Sequence, residues 1–343
     1  MNKIKKQIIR IVLLVGTLVS LYFVPWVLVK AWMLPLPETV QGQLEEAVDQ
    51  GFVGIIVYID QAGYSPELYA AGLHNREKGI QAYPQAYFKI ASISKLYIAV
   101  ATTKLISRGI LSLQASLTDY LPDLNGKIEN ANSITLKMLV EHRSGIPNYT
   151  DIPGYWEMNL KSRMEDLELV YNKAADFEPG SQYAYCNTNY LLLTLILDKV
   201  LEYPYFEFIQ QNILDRLHLR HTYQSVNQVD IDSVMSGYHV GYEPDLKNQD
   251  RGMISTAEDV GVFLRALNSG SLFDPGEKEI YSSIYKFNHT GLVPGYQSIA
   301  EYHKDIDAVV IQFTNTTDSK QYNWNLSEIE YGRILKIIRN NRK

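Results

Sequence analysis

Apolar and polar positions along the chain fall into three patterns, and each predicts a different kind of element. The first is an apolar run from Ile11 to Val29, interrupted mainly by Thr17, Ser20 and Pro25. At about 20 residues it is long enough to cross a bilayer as a helix. Lys3, Lys5, Lys6 and Arg10 precede it, and a positive flank is expected to stay cytoplasmic and send the rest of the chain outside. No small-x-small site follows the run, so an uncleaved anchor is favoured over a cleaved signal peptide. A buried core helix is the third reading, and the basic flank argues against it. The chain thus divides into a tip and transmembrane anchor over 1–33, a linker over 34–39 containing Leu34-Pro35-Leu36-Pro37, and one large domain over 40–343.

The second pattern is alternation, or short apolar runs bounded by turn residues. It predicts strands at Gly54–Asp60 and Glu67–Leu73, joined around Gly63, and again at Gln297–His303 and Ala308–Thr314. The third is helical spacing. It predicts helices over Val40–Asp49, from Ser92 to near Gly109, over Leu136–His142 behind a Thr135 cap, and from Thr256 to about Leu267, with Gly270 beyond. Tyr190 to Val200 is apolar nearly all round and should be buried. A last amphipathic helix falls at about Leu326–Ile338. Strands at both ends with helices between them imply an α+β fold. The expected arrangement is an α/β sandwich whose antiparallel sheet is formed by both termini, with an inserted all-helical region at roughly 105–255.

Composition narrows the chemistry. Apolar residues make up 46% and charged residues 20% of the 343, as in ordinary globular proteins. The net charge is −6, and no basic cluster interleaves with aromatics outside the N-terminus, so nucleic acid is not an expected partner. One cysteine, Cys186, permits no intramolecular disulfide or cysteine-based metal site. Of seven histidines only His218 and His221 are close, with no accompanying carboxylate motif, so neither metal nor cofactor is expected.

Three polar clusters carry chemistry. In Phe88-Lys89-Ile90-Ala91-Ser92-Ile93-Ser94-Lys95, Ser92 and Lys95 stand at i and i+3 where a strand end runs into a helix. Unpaired backbone N–H groups of the first turn lie beside the hydroxyl. A desolvated lysine there could take the serine's proton. Tyr185-Cys186-Asn187 offers a phenol to relay that proton and an amide to orient lysine or substrate. His289-Thr290-Gly291 precedes a strand, where glycine would let a substrate backbone lie along the sheet edge and His and Thr could supply hydrogen bonds.

In that order and at these spacings, the clusters resemble the serine β-lactamase and penicillin-binding protein superfamily, specifically its class C-like branch. That branch holds class C β-lactamases, D-alanyl-D-alanine carboxypeptidases, serine esterases and D-amino-acid peptidases. The stretch ending in Tyr120-Leu121-Pro122, Thr135-Leu136, His142-Arg143-Ser144-Gly145, Pro179-Gly180 and Gly295-Tyr296 extends the resemblance over about residues 40 to 335. It implies that Ser92 is acylated, that Lys95 is its base and that Tyr185 is a second proton-transfer group. It further implies substrate binding by Asn187, His289, Thr290 and Gly291, and an oxyanion hole of the Ser92 and Leu292 backbone N–H groups. His142, Ser144 and Gly145 are expected to brace a loop.

The third cluster begins with His289 where many relatives carry lysine, and a histidine lacks a permanent charge near neutral pH. The expected activity is therefore that of a membrane-anchored D-alanyl-D-alanine carboxypeptidase on the exoplasmic side of the cell membrane, acting on cell-wall peptides. A serine esterase or D-amino-acid amidase, a weak β-lactamase, and a non-catalytic peptidoglycan-binding homologue are the alternatives.

Overall fold

Ile55, Val57 and Ile59 point to one side of a strand, and Ile56 and Tyr58 to the other; all five are buried, so this strand must lie between two layers. In the computed structural model, which describes residues 3–158, 160, 162–250 and 252–341, it does. Six strands form one sheet: β1 (Gly54–Gln61), β2 (Glu67–Asn75), β3 (Ile80–Gln81), β4 (His289–Val293), β5 (Tyr296–His303) and β6 (Ala308–Thr314). Their order is β3-β2-β1-β6-β5-β4, antiparallel throughout. The β1–β6 pairing, with Tyr58 opposite Ile311, joins the two ends of the chain at the sheet centre.

The principal helices are α1 (Lys3–Tyr22), α2 (Trp26–Met33), α3 (Val40–Asp49), α4 (Ser94–Ser107), α5 (Leu136–Val140), α6 (Asn187–Leu201), α7 (Ala257–Ser269), α8 (Glu277–Ile284) and α9 (Tyr322–Asn341). On one face of the sheet Ile55, Val57, Ile59 and Val310 pack with Leu44 of α3 and Ile334 and Ile338 of α9. On the other, Ile56, Tyr58, Val309 and Ile311 join α4, α6 and α7 in the larger core. Each fully buried Leu or Ile contributes about 1.5–3 kcal/mol. The two cores therefore hold the sheet from both sides.

Two expectations need correction. The apolar run Ile11–Val29 is not one helix. Pro25, which has no N–H to continue the ladder, separates α1 from α2, and the two meet at 80°. No single helix among the described residues is long and apolar enough to cross a membrane, although this bent pair passes the test together. Residues 1 and 2 of the expected tip, and the last two of the chain, lie outside the described residues. The second correction is at Ser92: a 3₁₀ turn over Ala91–Ile93 comes first, and the α-helix starts at Ser94. Between Gly270 and His289 the chain forms α8.

Candidate active site

A short ladder presents the nucleophile turn. Phe88–Lys89 pairs with Ile254–Ser255, which also pairs with Thr222–Tyr223. The buried Lys89 ammonium donates to the Leu246 and Gln249 carbonyls at 2.6 Å each, pinning the loop beside the strand. One residue on, Ile90 N–H donates to the Met253 carbonyl at 3.1 Å. Ala91 then adopts φ 48°, a left-handed conformation unfavourable for a residue with a Cβ. Backbone strain of this kind, directly before a candidate nucleophile, is held by the surrounding ladder and core.

The structure brings Ser92, Lys95, Tyr185 and Asn187 into one hydrogen-bonded group. Lys95 Nζ lies 3.1 Å from Ser92 Oγ and 2.8 Å from Asn187 Oδ1. Tyr185 OH donates to Ser92 Oγ at 2.7 Å. Asn187 is itself fixed: its Nδ2 donates to Thr150 Oγ1 at 2.9 Å and its backbone N–H to Asn148 Oδ1 at 3.0 Å. The Lys95 ammonium also sits 5.1 Å from the Tyr185 ring centroid and 5.6 Å from that of Tyr190.

Burial separates the proton affinities of the group. It pulls Lys95 down to about 7, so a neutral amine able to accept a proton is populated at neutral pH. It pushes Tyr185 up to about 12 despite the hydrogen bond to Ser92, so the phenol keeps its proton. Between the two, Lys95 is the resting base and Tyr185 the resting donor. Cys186 is raised as well, mainly by burial, and stays a thiol; its Sγ donates to the Ile146 carbonyl at 3.3 Å.

His142, at φ 58°, packs 4.6 Å from the Tyr185 ring, and its Nδ1 accepts from Cys186 N–H at 3.1 Å. Burial first, then the charge of Lys95, lowers it to about 3, so it braces the Tyr185 segment as a neutral ring. Ser144 Oγ donates to Asn189 Oδ1 at 2.6 Å, and Gly145 at φ 76° has the Phe177 carbonyl where a Cβ would lie.

β4 is the edge strand of the sheet and packs on the Ala91–Ile93 turn. Gly291 makes that approach: a Cβ there would fall 2.5 Å from the Ile90 carbonyl oxygen and 2.4 Å from Ser298 Oγ. Leu292 follows with its side chain exposed, on an edge whose alternate N–H groups face away from β5. His289 is only 4% exposed, and both ring nitrogens have protein partners. Nδ1 lies 2.5 Å from the Thr290 carbonyl and so carries the proton; Nε2 accepts from Tyr285 OH at 3.0 Å. Burial and the charges of Lys286 and Lys95 hold it neutral. The ring is thus engaged within the protein on both nitrogens.

Sequence reasoning did not single out Thr150, Asn148, Tyr190, Tyr285 or Lys286. The abundance of tyrosine near the motifs was the one signal for the ring cluster. Lys286 lies beside Tyr285; its positive charge disfavours protonation of His142 and His289, and burial, then the charge of Lys95, lowers Lys286 in turn. Positive potential therefore reaches this cleft without a lysine at position 289.

Comparison with known proteins places this geometry. Protein flp of Staphylococcus aureus (strain NCTC 8325 / PS 47) is 30% identical over 175 residues, which cover 50% of this chain and 34% of that relative. The chain thus spans about a third of that relative's length. The crystal structure of D-amino acid amidase from Ochrobactrum anthropi SV3 superposes with a TM-score of 0.76 at 22% identity, over 89% of this chain and 98% of the amidase. A penicillin binding protein from Bacillus halodurans gives 0.73 at 19% identity, over 86% and 99%. At those identities the likeness is one of fold. The family model described as Beta-lactamase, matching residues 40–283, goes further: the chain belongs to the beta-lactamase family.

Proposed function

We propose that this protein is a serine hydrolase, a D-alanyl-D-alanine carboxypeptidase acting through an acyl-enzyme on Ser92. It is held at the cell membrane by residues 1–33, with 34–39 as spacer and 40–343 as a catalytic domain on the exoplasmic side. The observation that carries the chemistry is the contact of Ser92 Oγ with a lysine lowered to about 7 on one side and a protonated tyrosine on the other. Neutral Lys95 takes the Oγ proton as Oγ attacks the carbonyl carbon of the scissile amide. The oxyanion is met by the backbone N–H groups of Ser92 and Leu292. As the C–N bond breaks, the leaving amine receives a proton from Tyr185, which is re-supplied from Lys95. Water then attacks the ester, gives its proton back through the same pair, and Ser92 leaves with it. Asn187 keeps Lys95 aimed and has a second amide hydrogen for the substrate's own amide.

A second reading, hydrolysis of D-amino-acid amides or of esters, is favoured by one observation. His289 is neutral and internally hydrogen-bonded, so the wall strand itself offers no fixed charge to a terminal carboxylate. The fold likeness to a D-amino acid amidase supports the same reading. Incubating the protein with a stem pentapeptide ending in D-Ala-D-Ala, and separately with D-phenylalanine amide, distinguishes the two. Release of D-alanine with little ammonia supports the carboxypeptidase. Ammonia from the amide with an intact pentapeptide replaces it with the amidase.

A further inference from the structure

The chain between the N-terminal helices and the domain contains Pro35 and Pro37 and looks like a spacer. In the fold it is fastened down. Arg333 of α9, 4% exposed, donates from Nη1 to the Ala31 and Leu34 carbonyls at 3.0 and 2.7 Å, and from Nη2 to the Pro35 carbonyl at 2.8 Å. The same guanidinium reaches Gln43 Oε1 and Glu46 Oε2 of α3 at 2.9 and 3.0 Å. Gln43 in turn donates to Glu330 at 2.5 Å, and Asn341 donates to the Glu38 carbonyl at 2.7 Å. Ala31 is fully buried, and Leu28 packs against the core shared by α3 and α9. A guanidinium satisfied on every side inside a core does not let go of its partners cheaply.

Among the described residues nothing packs on the opposite side of α2, which is largely apolar. Trp26 is 55% and Trp32 70% exposed, with Phe23, Val27 and Met33 exposed beside them and Lys30 on the same short helix. The corner into α1 is fixed by Trp26 Nε1 donating to the Leu21 carbonyl at 2.9 Å. From that corner α1 runs off at 80°, with Ile8, Val12, Leu14, Val15, Leu18 and Val19 all exposed. Its apolar stretch from Ile11 to Tyr22 reaches about 18 Å, well into a hydrocarbon core of about 30 Å, with Lys5, Lys6 and Arg10 in the turns before it. Tryptophan beside lysine is the composition that settles at the level of lipid headgroups.

We propose that α2 lies flat in the headgroup layer of a bilayer that α1 enters, and that Arg333 mounts the catalytic domain rigidly on α2. The inference rests on the reading of residues 1–33 as an anchor. Its consequence is positional. α3 and α9 cover one face of the sheet, with α2 packed against α9, and Ser92 lies in the 3₁₀ turn that leads into α4 on the other, so the sheet stands between membrane and nucleophile. The serine is then held at a set height facing away from the bilayer, and suits substrates presented at that height rather than lipids.

The test uses the full chain in vesicles of phosphatidylcholine and phosphatidylglycerol, with Trp156→Phe and Trp324→Phe so that only Trp26 and Trp32 emit. Bromine atoms placed high on the acyl chains should quench this emission at least about twofold more than bromines near the chain ends. A dye on Ile110→Cys, far from the chemistry, should show one narrow distance to acceptor headgroups, and Arg333→Ala should broaden it. Release of the protein by alkaline carbonate would overturn the anchor and this inference together. Protein retained by the vesicles but unquenched overturns the flat helix alone, whether α2 is then solvated or covered by a second copy. A broad distance in the parent protein overturns the rigid mount, even if Arg333→Ala fails to fold.

Discussion

In the proposed mechanism Lys95 sets the pH behaviour of the site. Burial lowers its pKa to about 7, and the neutral amine is then the reactive form. Below 7 the ammonium cannot take the Ser92 proton, so kcat/KM is expected to rise with pH, with an apparent pKa near 7, and then level off. Tyr185, raised to about 12, remains a phenol throughout. Lys95→Arg puts a permanently charged group in the same place and should cost at least about 10³-fold in acylation, leaving no rising limb. A pH–rate profile of the wild type that is flat from about pH 5 to 9 would remove lysine as the base. The pair Ser92 and Lys95 was legible in the sequence because one turn of helix places i and i+3 together. The protonation order was not legible, since it depends on how deeply Lys95 is buried beneath Tyr185 and Tyr190.

At the scale of elements, the gap between β4 and the nucleophile turn is set by one missing Cβ. Gly291→Ala places a carbon 2.5 Å from the Ile90 carbonyl and must push β4 off Ala91–Ile93. The expected loss in kcat is about 10²–10³, the size of a lost oxyanion donor, with KM changed less. Steady-state kinetics on an ester substrate check this. α4 is fixed at its far end by a different device. Lys104 Nζ, fully buried, bonds Glu277 Oε2 of α8 at 2.7 Å and the Leu272 carbonyl at 3.2 Å. Glu277→Ala leaves that ammonium only the half-exposed Asp274 carboxylate at 4.0 Å and should destabilise the fold by about 3 kcal/mol in urea unfolding, more than loss of an exposed pair would. The partners are 173 residues apart, and in sequence Lys104 looks like any solvated helix lysine.

At the scale of the molecule, the two-ended antiparallel sheet was legible because alternation and short apolar runs at both chain ends demand a shared core. The helices over 40–49, 187–201 and 257–269 were legible from apolar spacing, the last also from its Thr256 cap. The bend at Pro25 was not, because a hydrophobic run gives length but not direction. Nor was the 3₁₀ turn at Ser92, which the ladder of Phe88–Lys89 and the φ of Ala91 impose from outside the helix. The account as a whole rests on Ser92 becoming acylated. Its most direct measurement is the intact mass of the protein after brief exposure to a penicillin and, separately, to an activated D-amino-acid ester, with peptide mapping of the adduct. The prediction is a single acyl increment on the peptide containing Ser92, absent in Ser92→Ala. An increment that persists in Ser92→Ala, or no increment from either reagent, would contradict it.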